Sequence, residues 1–272
     1  MKVKNRPLTL IIGCLLVGLL ALVALISIFW TPYQLSDTTG GRLSPPDLHH
    51  FLGTDKLGRD TLSRLMVGAR IALSVGIFSI LIGASIGITL GIAAGFAERR
   101  LDESVSALLD ILIAFPTLLL AMLIVAGRGS SLSSAIIAIG IGMSAIIARL
   151  TRLLVKRVLA QDFITASRAS GTSWTRLILI HVLPNIWPTL IVNLALQFGL
   201  AGLTEASLSY LGLGAPPPNA SWGSLLQEAQ VTVLTSPIAA IAPGLCLVAL
   251  VIGVNLIADG LRSHGDPTLR RA

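Results

Sequence analysis

The few side chains of this sequence that could act on a solute lie within or beside long apolar segments. Asn193 and Gln197 are four residues apart, so on a helix their amide groups share one face. A polar stripe inside an apolar segment indicates a path for a polar solute. Hydrogen bonds between the two amides, or to a neighbouring helix, explain the stripe equally well. The spacing therefore predicts either path-lining residues or a packing contact.

Sequence signatures of catalysis are missing. The phosphate-binding loop G-x-x-x-x-G-K-[ST] needs a lysine after a glycine, and none of the four lysines follows one. The sequence also lacks an H-E-x-x-H helix and a G-x-S-x-G elbow. We therefore predict no catalytic residue, no metal site and no cofactor bound by this chain.

The composition is that of a membrane protein. The 272 residues are 54% hydrophobic and 12% charged, with a mean hydropathy of +0.85, whereas soluble proteins carry about 25% charged residues. Such hydrophobicity argues against disorder, and two cysteines are too few for a disulfide-stapled secreted module. Much of the net charge of +7 lies beside apolar runs, so we do not expect nucleic acid as a partner.

Six apolar runs have about the 20 residues that a membrane-spanning helix needs. A signal peptide has a shorter apolar region of roughly 7–15 residues, so we expect the first run to be retained. Asp110 is the charge within the third run, and we expect it to lie near a span end. The runs are Leu8 to Trp30, Ile71 to Ala97, Ser104 to Gly127, Gly129 to Ala148, Ile186 to Thr204, and Ile238 to Ala258.

The distribution of Lys and Arg predicts the orientation. If both termini lie in the cytoplasm, 14 Lys and Arg residues lie on the cytoplasmic side and 6 on the external side. This orientation is favoured because cytoplasmic loops of membrane proteins carry an excess of Lys and Arg. The prediction is an all-α membrane protein with six transmembrane helices, N-in and C-in. We divide it into residues 1–70, an N-terminal helix plus external segment, and residues 71–272, a five-helix core with a cytoplasmic coupling loop at 152–185.

Glycines recur every four residues in the second span, at positions 83, 87, 91 and 95. Small residues let helix backbones approach closely in a membrane. The stripe therefore predicts a contact with another helix, as either a static packing surface or a sliding one.

The sequence of the predicted cytoplasmic loop indicates a helix, a break and a second helix. Gly171 can end the first helix, Thr172 or Ser173 can cap the second, and Pro184 is expected to close it. A stiff elbow of this kind suits docking of a soluble partner. A basic helix lying against anionic lipid is the alternative.

The same loop resembles the E-A-A-x3-G-x9-I-x-L-P loop of permease subunits in bacterial ABC importers. The matching segments are Thr165-Ala166-Ser167, then Gly171, then Leu183-Pro184, with Thr165, Ser167 and His181 replacing the Glu, the second Ala and the Ile of the pattern.

Further motifs are similar to the dipeptide, oligopeptide and nickel permeases of the second membrane-subunit type. The external motif is Gly53-Thr54-Asp55-Lys-Leu-Gly58-Arg59-Asp60, and Trp222-Gly223 and the C-terminal Asp266-Pro267 agree with the same family.

The resemblance implies a type I ABC importer permease fold in the bacterial inner membrane. It implies a permease that forms half of a translocation path for di- or oligopeptides, with nickel or a metal chelate as the alternative cargo. The implied partners are a second, homologous permease, two cytoplasmic ATPases that carry ATP and Mg, and an extracytoplasmic binding protein. The alternative functions from other classes of membrane protein are a self-contained secondary transporter and a membrane scaffold.

The resemblance also assigns expected roles to residues. The loop residues from Thr165 to Pro184 are expected to couple the permease to an ATPase. We expect Asp55, Arg59 and Asp60 to form an ordered external turn, in which carboxylates cap amides and Arg59 pairs with a carboxylate.

Overall fold

The computed structural model describes residues 6–265, and their side chains from residue 8 to residue 263. The basic N-terminal residues 1–5 and the Asp266-Pro267 motif lie outside the described residues. Apart from turns and one isolated β-bridge, the described chain is helical, which confirms the predicted class. The helices are α1 (Arg6–Phe29), α2 (Thr61–Phe96), α3 (Arg99–Ala114), α4 (Thr117–Arg128), α5 (Leu132–Leu159), α6 (Asp162–Ala169), α7 (Trp174–Arg176), a π-helix (Leu177–Val182), α8 (Leu183–Tyr210), α9 (Trp222–Ala229) and α10 (Ile238–Gly265).

The predicted third span is not one straight helix. Within residues 6–265, five helical segments are long and apolar enough to cross a membrane, and a sixth candidate is the pair α3–α4, bent by 85°. The bend lies at Phe115, whose φ of −80° and ψ of 124° are extended, and at Pro116. Proline disfavours a helical conformation in the residue before it, which explains the break.

α2 and α5 form the centre of the fold, joined by the glycine stripe at 83–95. A Cβ atom on Gly87 would lie 2.7 Å from the carbonyl oxygen of Ser144, and one on Gly95 would lie 2.5 Å from Val155. The stripe therefore contacts α5 closely, which confirms the predicted helix contact. Because the contacting positions rise together along both helices, α2 and α5 run parallel.

The broken pair α3–α4 carries the chain back across the fold between these parallel helices. Asp102 near the start of α3 contacts Arg152, with Oδ1 and Nε 2.6 Å apart. Further on, Thr117 of α4 lies against Gly142, where a Cβ would meet its Cγ2 at 2.8 Å. The pair thus follows α5 in the opposite direction and supplies the sixth crossing.

α1 and α10 lie antiparallel. A Cβ on Gly13 would lie 2.7 Å from the carbonyl oxygen of Gly253, and one on Gly260 would lie 2.7 Å from the Cβ of Leu10. The start of α1 therefore lies beside the last part of α10. This arrangement agrees with two termini on the same side.

The other helices follow the same alternation. Arg70 near the start of α2 donates to the carbonyl of Ser27 near the end of α1, at 3.3 Å. A Cβ on Gly202 of α8 would lie 2.8 Å from Leu250 of α10. The segment 30–60 and α9 therefore share one end of the bundle, and residues 160–182 lie at the other. These are the predicted external and cytoplasmic ends.

Pro184 does not close a helix, so that prediction is wrong. The π-helix Leu177–Val182 leads directly into α8, and the Leu183 N–H donates to the carbonyl of Ile178 in the wider π pattern. Pro184 lies in the first turn of α8, where proline is tolerated. The predicted span Ile186 to Thr204 is thus the middle of a continuous helical segment, Trp174–Tyr210.

Candidate functional site

The first candidate site is a helical elbow, residues 160–183, between α5 and α8. Gly171 follows α6 with a φ of +79°. Its N–H donates to the Arg168 carbonyl at 3.0 Å, and the Thr172 N–H donates to the Ser167 carbonyl at 3.2 Å. These two bonds form a Schellman cap. A Cβ on Gly171 would meet nothing within 4 Å, so conformation rather than space favours glycine there.

The elbow is attached to the bundle by apolar contacts. Ile164 of α6 and Leu177 after α7 are buried and share a hydrophobic cluster with residues of α5 and α8. The opposite side of α6 is exposed at Thr165 and Ala166. A small apolar anchor thus presents a free helical face at the end of the bundle.

Trp174 connects the elbow to α2. Its ring meets the ring of Phe96 edge-on, with centroids 5.3 Å apart, and the guanidinium carbon of Arg168 lies 4.3 Å from the centre of the Trp174 ring. Such aromatic and cation–π contacts favour one arrangement while leaving the groups partly solvated. A groove of about 570 Å³ opens beside them. Its lining includes Gly95, Phe96, Ile164, Thr165, Arg168 and Trp174.

The remaining predicted coupling residues occupy two places. Ser167 donates to the hydroxyl of Thr172 at 3.0 Å and lies 3.4 Å from Nε2 of His181, so it joins the two halves of the elbow. Leu183 and Pro184 begin α8 instead. The structure therefore brings residues 165–171 together on the free helix and places Leu183 and Pro184 at its base.

The second candidate site is an external ion cluster of Asp55, Arg59, Arg64 and Glu228. Arg59 Nε is 2.6 Å from Asp55 Oδ2, and Arg59 Nη2 is 3.0 Å from Glu228 Oε2. Arg64 Nη1 is 2.7 Å from Asp55 Oδ2, while its Nη2 is 2.8 Å from Glu228 Oε1. Each guanidinium therefore bridges the same two carboxylates.

A tight turn holds this cluster in place. Asp55 Oδ1 accepts the backbone N–H of Leu57 at 2.7 Å and that of Arg59 at 2.9 Å. Gly58 has a φ of +81°, and a Cβ there would lie 2.2 Å from the carbonyl oxygen of Gly40. Only glycine fits both the conformation and the space at this position.

The turn continues into the cap of α2. Asp60 accepts the N–H of Ser63 at 2.7 Å, and its other oxygen lies 3.0 Å from Nδ1 of His50. Thr54 forms the isolated bridge with Asp60, and Gly53 has a φ of +70°. The external motif is therefore an ordered cap whose polar groups bind one another.

The charges of the cluster govern the acidity of its carboxyl groups. Burial raises the pKa of Asp55, but the N–H groups of Arg59 and Leu57 and the guanidiniums of Arg59 and Arg64 outweigh it and lower that pKa. Burial also raises the pKa of Glu228, but the hydrogen bond from Arg64 and the charges of Arg64 and Arg59 outweigh it and lower that pKa. Both carboxyl groups are held in the charged form.

Neither Glu228 nor Arg64 was predicted as a site residue. Glu228 lies on α9, which docks on α2 because the Trp222 indole N–H donates to the Leu65 carbonyl at 3.1 Å. A Cβ on Gly223 would lie 2.0 Å from the carbonyl oxygen of Ala206. The pair Trp222-Gly223 therefore positions Glu228, and it is the one sequence signal that points there.

With this geometry established, comparison with known proteins identifies the family. Residues 87–271 match the family model described as binding-protein-dependent transport system inner membrane component. The chain belongs to this family.

Individual relatives cover nearly all of the permease. It is 38% identical to the dipeptide transport system permease protein DppC of Alkalihalophilus pseudofirmus, over 96% of this chain and 86% of that protein. It is 37% identical to the nickel transport system permease protein NikC of Escherichia coli K12, over 95% of this chain and 94% of that protein. Both matches span most of the relative as well as most of this chain.

A solved structure confirms the fold. The inward-facing MetNI methionine ABC transporter matches with a TM-score of 0.60 at 22% identity, covering 76% of the permease and 95% of that chain. The all-α importer permease fold is therefore established, and membership of the family places the chain in the inner membrane.

The predicted path residues of the permease lie inside the bundle on α8. Gln197 is 4% exposed and Asn193 is half-buried. The side-chain oxygen of each is buried without a hydrogen-bond partner. The structure therefore gives no packing hydrogen bond that occupies either oxygen.

A further ion cluster of the permease was missed from sequence. Asp102 at the start of α3 accepts from Arg152 at 2.6 and 2.9 Å, and from Lys156. Arg152 and Lys156 lie 50 and 54 positions after Asp102 in the chain, so no local pattern reveals the contact. The cluster ties α3 to the cytoplasmic half of α5.

Proposed function

We propose that this permease forms half of the translocation path of an ATP-driven importer for di- or oligopeptides. The observation that carries the proposal is the elbow at 160–183, which presents an exposed helix on a small buried anchor. A self-contained transporter or a membrane scaffold would have no use for such an element.

The elbow is the docking element for one of two cytoplasmic ATPases, which would bind ATP and Mg. Thr165, Ala166 and Ser167 would enter a groove of the ATPase, and the cap at Gly171 would fix the angle of α6. Support comes from the exposure of Thr165 and Ala166 and from the positive φ of Gly171. Leu183 and Pro184 would pass the movement to α8 from the base of the elbow.

The external cap at residues 53–60 is a fixed frame on the side where a binding protein would deliver cargo. Asp55 pairs with Arg59 and Arg64, and Arg59 also pairs with Glu228. Asp60 caps α2 and contacts His50. That arrangement supports a structural role for Asp55, Arg59 and Asp60 rather than direct contact with the cargo.

Asn193 and Gln197 would line the path. A buried amide oxygen without a partner carries a desolvation cost, and in the assembled transporter a cargo group or a water could satisfy it. The two unpartnered oxygens on one face of α8 support this assignment.

Nickel or a metal chelate is the second candidate cargo, supported by the nickel permease among the relatives. A homologous but different chain would complete the path in either case.

Purification from the native membrane tests the proposal. The chain is tagged at its C-terminus, extracted in mild detergent and analysed by mass spectrometry, and the purified material is reconstituted in vesicles. We expect a second permease and ATPase subunits to co-purify, and ATP to drive uptake of labelled dialanine but not of Ni²⁺. Recovery of the chain alone, or nickel uptake without peptide uptake, would contradict the proposal.

A further inference from the structure

α3 and α5 are joined by ionic contacts of two different kinds, one at Asp102 and one at Asp110. Asp102 is mostly buried and holds Arg152 through two contacts of 2.6 and 2.9 Å. In contrast, the contact between Asp110 Oδ1 and Arg149 Nη1 is 3.2 Å, and the two side chains are 58% and 53% exposed. The first pair is a closed structural contact, whereas the second is open to its surroundings.

The open pair lies within two helical segments that together meet the length and hydropathy of membrane spans, α5 and the bent pair α3–α4. Gly95, next to the end of α2, packs on Val155 of α5. Arg149 precedes Val155 by six residues, about 9 Å along α5 toward the external end at 1.5 Å per residue. Asp110 lies level with Arg149, with apolar neighbours Leu108 to Leu112 on α3.

Charged groups within a membrane-crossing segment do not face lipid without a large cost. They occur where a cavity contains water or where another protein surface pairs with them. The contact in the chain uses one Nη of Arg149, although a guanidinium has five N–H donors. The pair therefore has hydrogen-bonding capacity left for a polar group.

A second observation on the same helix pair points in the same direction. The chain is broken at Phe115 and Pro116, deeper than Asp110, and both residues are exposed. Irregular backbone at membrane depth is tolerated only where protein covers it or where it lines a water-filled cavity. The break and the ion pair are thus two exposed places on the α3–α4 pair, and lipid covers the surface that carries them only at a cost.

We propose that this face lines the aqueous translocation path and that Asp110 and Arg149 form a contact for zwitterionic cargo. Arg149 binds a carboxylate of the cargo and Asp110 binds an ammonium group of the cargo. Each side chain thus replaces part of its contact with the other by a contact with the cargo. This inference rests on the proposed function for the nature of the cargo, but the aqueous exposure of the face does not.

Thiol labelling tests the aqueous exposure in the assembled transporter. Asp110→Cys is made in a chain carrying Cys14→Ser and Cys246→Ser, and is treated with a sulfonate-bearing methanethiosulfonate reagent in each nucleotide state. The matched control is Leu90→Cys on α2, which lies next to Gly91 and is 46% exposed; Gly91 packs on Thr151, so the depth is comparable. We expect the thiol of Asp110→Cys to react in at least one state and that of Leu90→Cys to stay protected.

Uptake of labelled dialanine tests the cargo contact. We expect Asp110→Asn and Arg149→Gln each to reduce uptake about ten- to a hundredfold, the effect of losing a hydrogen bond to a charged group. The charge-exchanged double variant, Asp110→Arg with Arg149→Asp, should give the complex at wild-type yield but should not regain the uptake. If the ion pair were purely structural, the double variant would regain the uptake as well.

The outcomes separate this inference from the proposed function. If the wild-type complex takes up no dialanine, the peptide proposal fails while the labelling still decides whether the face is aqueous. Protection of Asp110→Cys in every nucleotide state would show that protein covers the face and would overturn the inference. Full uptake by the charge-exchanged variant would overturn the cargo contact.

Discussion

The two ends of this permease are held together by different kinds of interaction. At the external end, the four charged groups of the ion cluster interlock at 2.6 to 3.0 Å, and Trp222 fastens α9 to α2. At the cytoplasmic end, the elbow is attached through the buried side chains of Ile164 and Leu177 and the edge-on contact of the Trp174 ring with Phe96. One end is fixed by charge and the other by a small apolar anchor.

The difference indicates which end can move. A buried ionic network has one good geometry, because breaking any pair leaves a charge without a partner. Apolar contacts are non-directional and tolerate small shifts of one helix against another. The external cluster is therefore suited to serve as a frame, and the elbow to follow a partner that closes beneath it.

Loss of Arg64 should have the largest effect on this frame. Arg64→Leu removes the buried cation that contacts both carboxylates, and breaking a buried pair costs about 3–5 kcal/mol. We expect a clear drop in the midpoint of thermal unfolding of the detergent-solubilised complex, and a lower yield from the membrane.

The matched control for Arg64→Leu is Arg99→Leu at the opposite end. Arg99 pairs with Glu103 at 2.9 Å, but its side chain is 91% exposed, and exposed pairs contribute little. Equal midpoints for Arg64→Leu and the wild type would show that the external end is not held by charge.

Substitution of Gly171 should affect transport more than stability. Alanine at a left-handed position costs roughly 1–2 kcal/mol, and no atom lies near enough to add a clash. We expect Gly171→Ala to lower ATP-driven uptake severalfold. Gly171→Pro should abolish uptake while membrane insertion stays intact, because proline forbids the positive φ and removes the N–H that caps α6. Uptake of dialanine and ATP hydrolysis by the reconstituted complex measure the loss.

Gly129 between α4 and α5 provides the control for this substitution. Its φ of +87° and ψ of 151° lie in a region that is essentially restricted to glycine, and a Cβ there also meets nothing within 4 Å, so Gly129→Ala imposes at least as much strain at the external end. Equal loss of uptake in both alanine variants would mean that strain, and not the elbow, limits transport.

Much of the fold could be predicted because membrane helices reveal themselves locally. Apolar length located the spans, and the four-residue spacing of the glycines located the α2–α5 contact. The break at Phe115-Pro116 was missed because the apolar pattern continues through it. Pro184 was misassigned because proline is compatible with the start of a helix as well as with its end.

The candidate sites were only partly predictable, since their contacts join distant positions. The turn at Asp55 and Arg59 is local and its spacing is visible in the sequence. Glu228 lies 164 residues from Arg64, and nothing in the pattern around either residue names the other. Sequence thus predicts the motifs, while the fold determines which charges meet.

The smallest expected effect is a difference in acid stability. The pKa values of Asp55 and Glu228 are lowered from 3.8 and 4.5 in the folded chain, so their charged forms stabilise it above those values. This stability is lost as the pH falls through the lowered pKa values. We therefore expect the thermal midpoint of the complex to fall between about pH 5 and pH 3, and Glu228→Gln to reduce that fall.

The fall of the thermal midpoint on acidification should be smaller in Glu228→Gln than in the wild type by on the order of 2 °C, because Glu228 is partly solvated and solvent screens its pairing. Glu103→Gln is the matched control, since Glu103 is exposed and pairs only with Arg99, and it should leave the acid slope unchanged. A midpoint that rises on acidification would contradict the sign. A fall of equal size in both variants would mean that the external cluster contributes no more to the frame than a surface ion pair does.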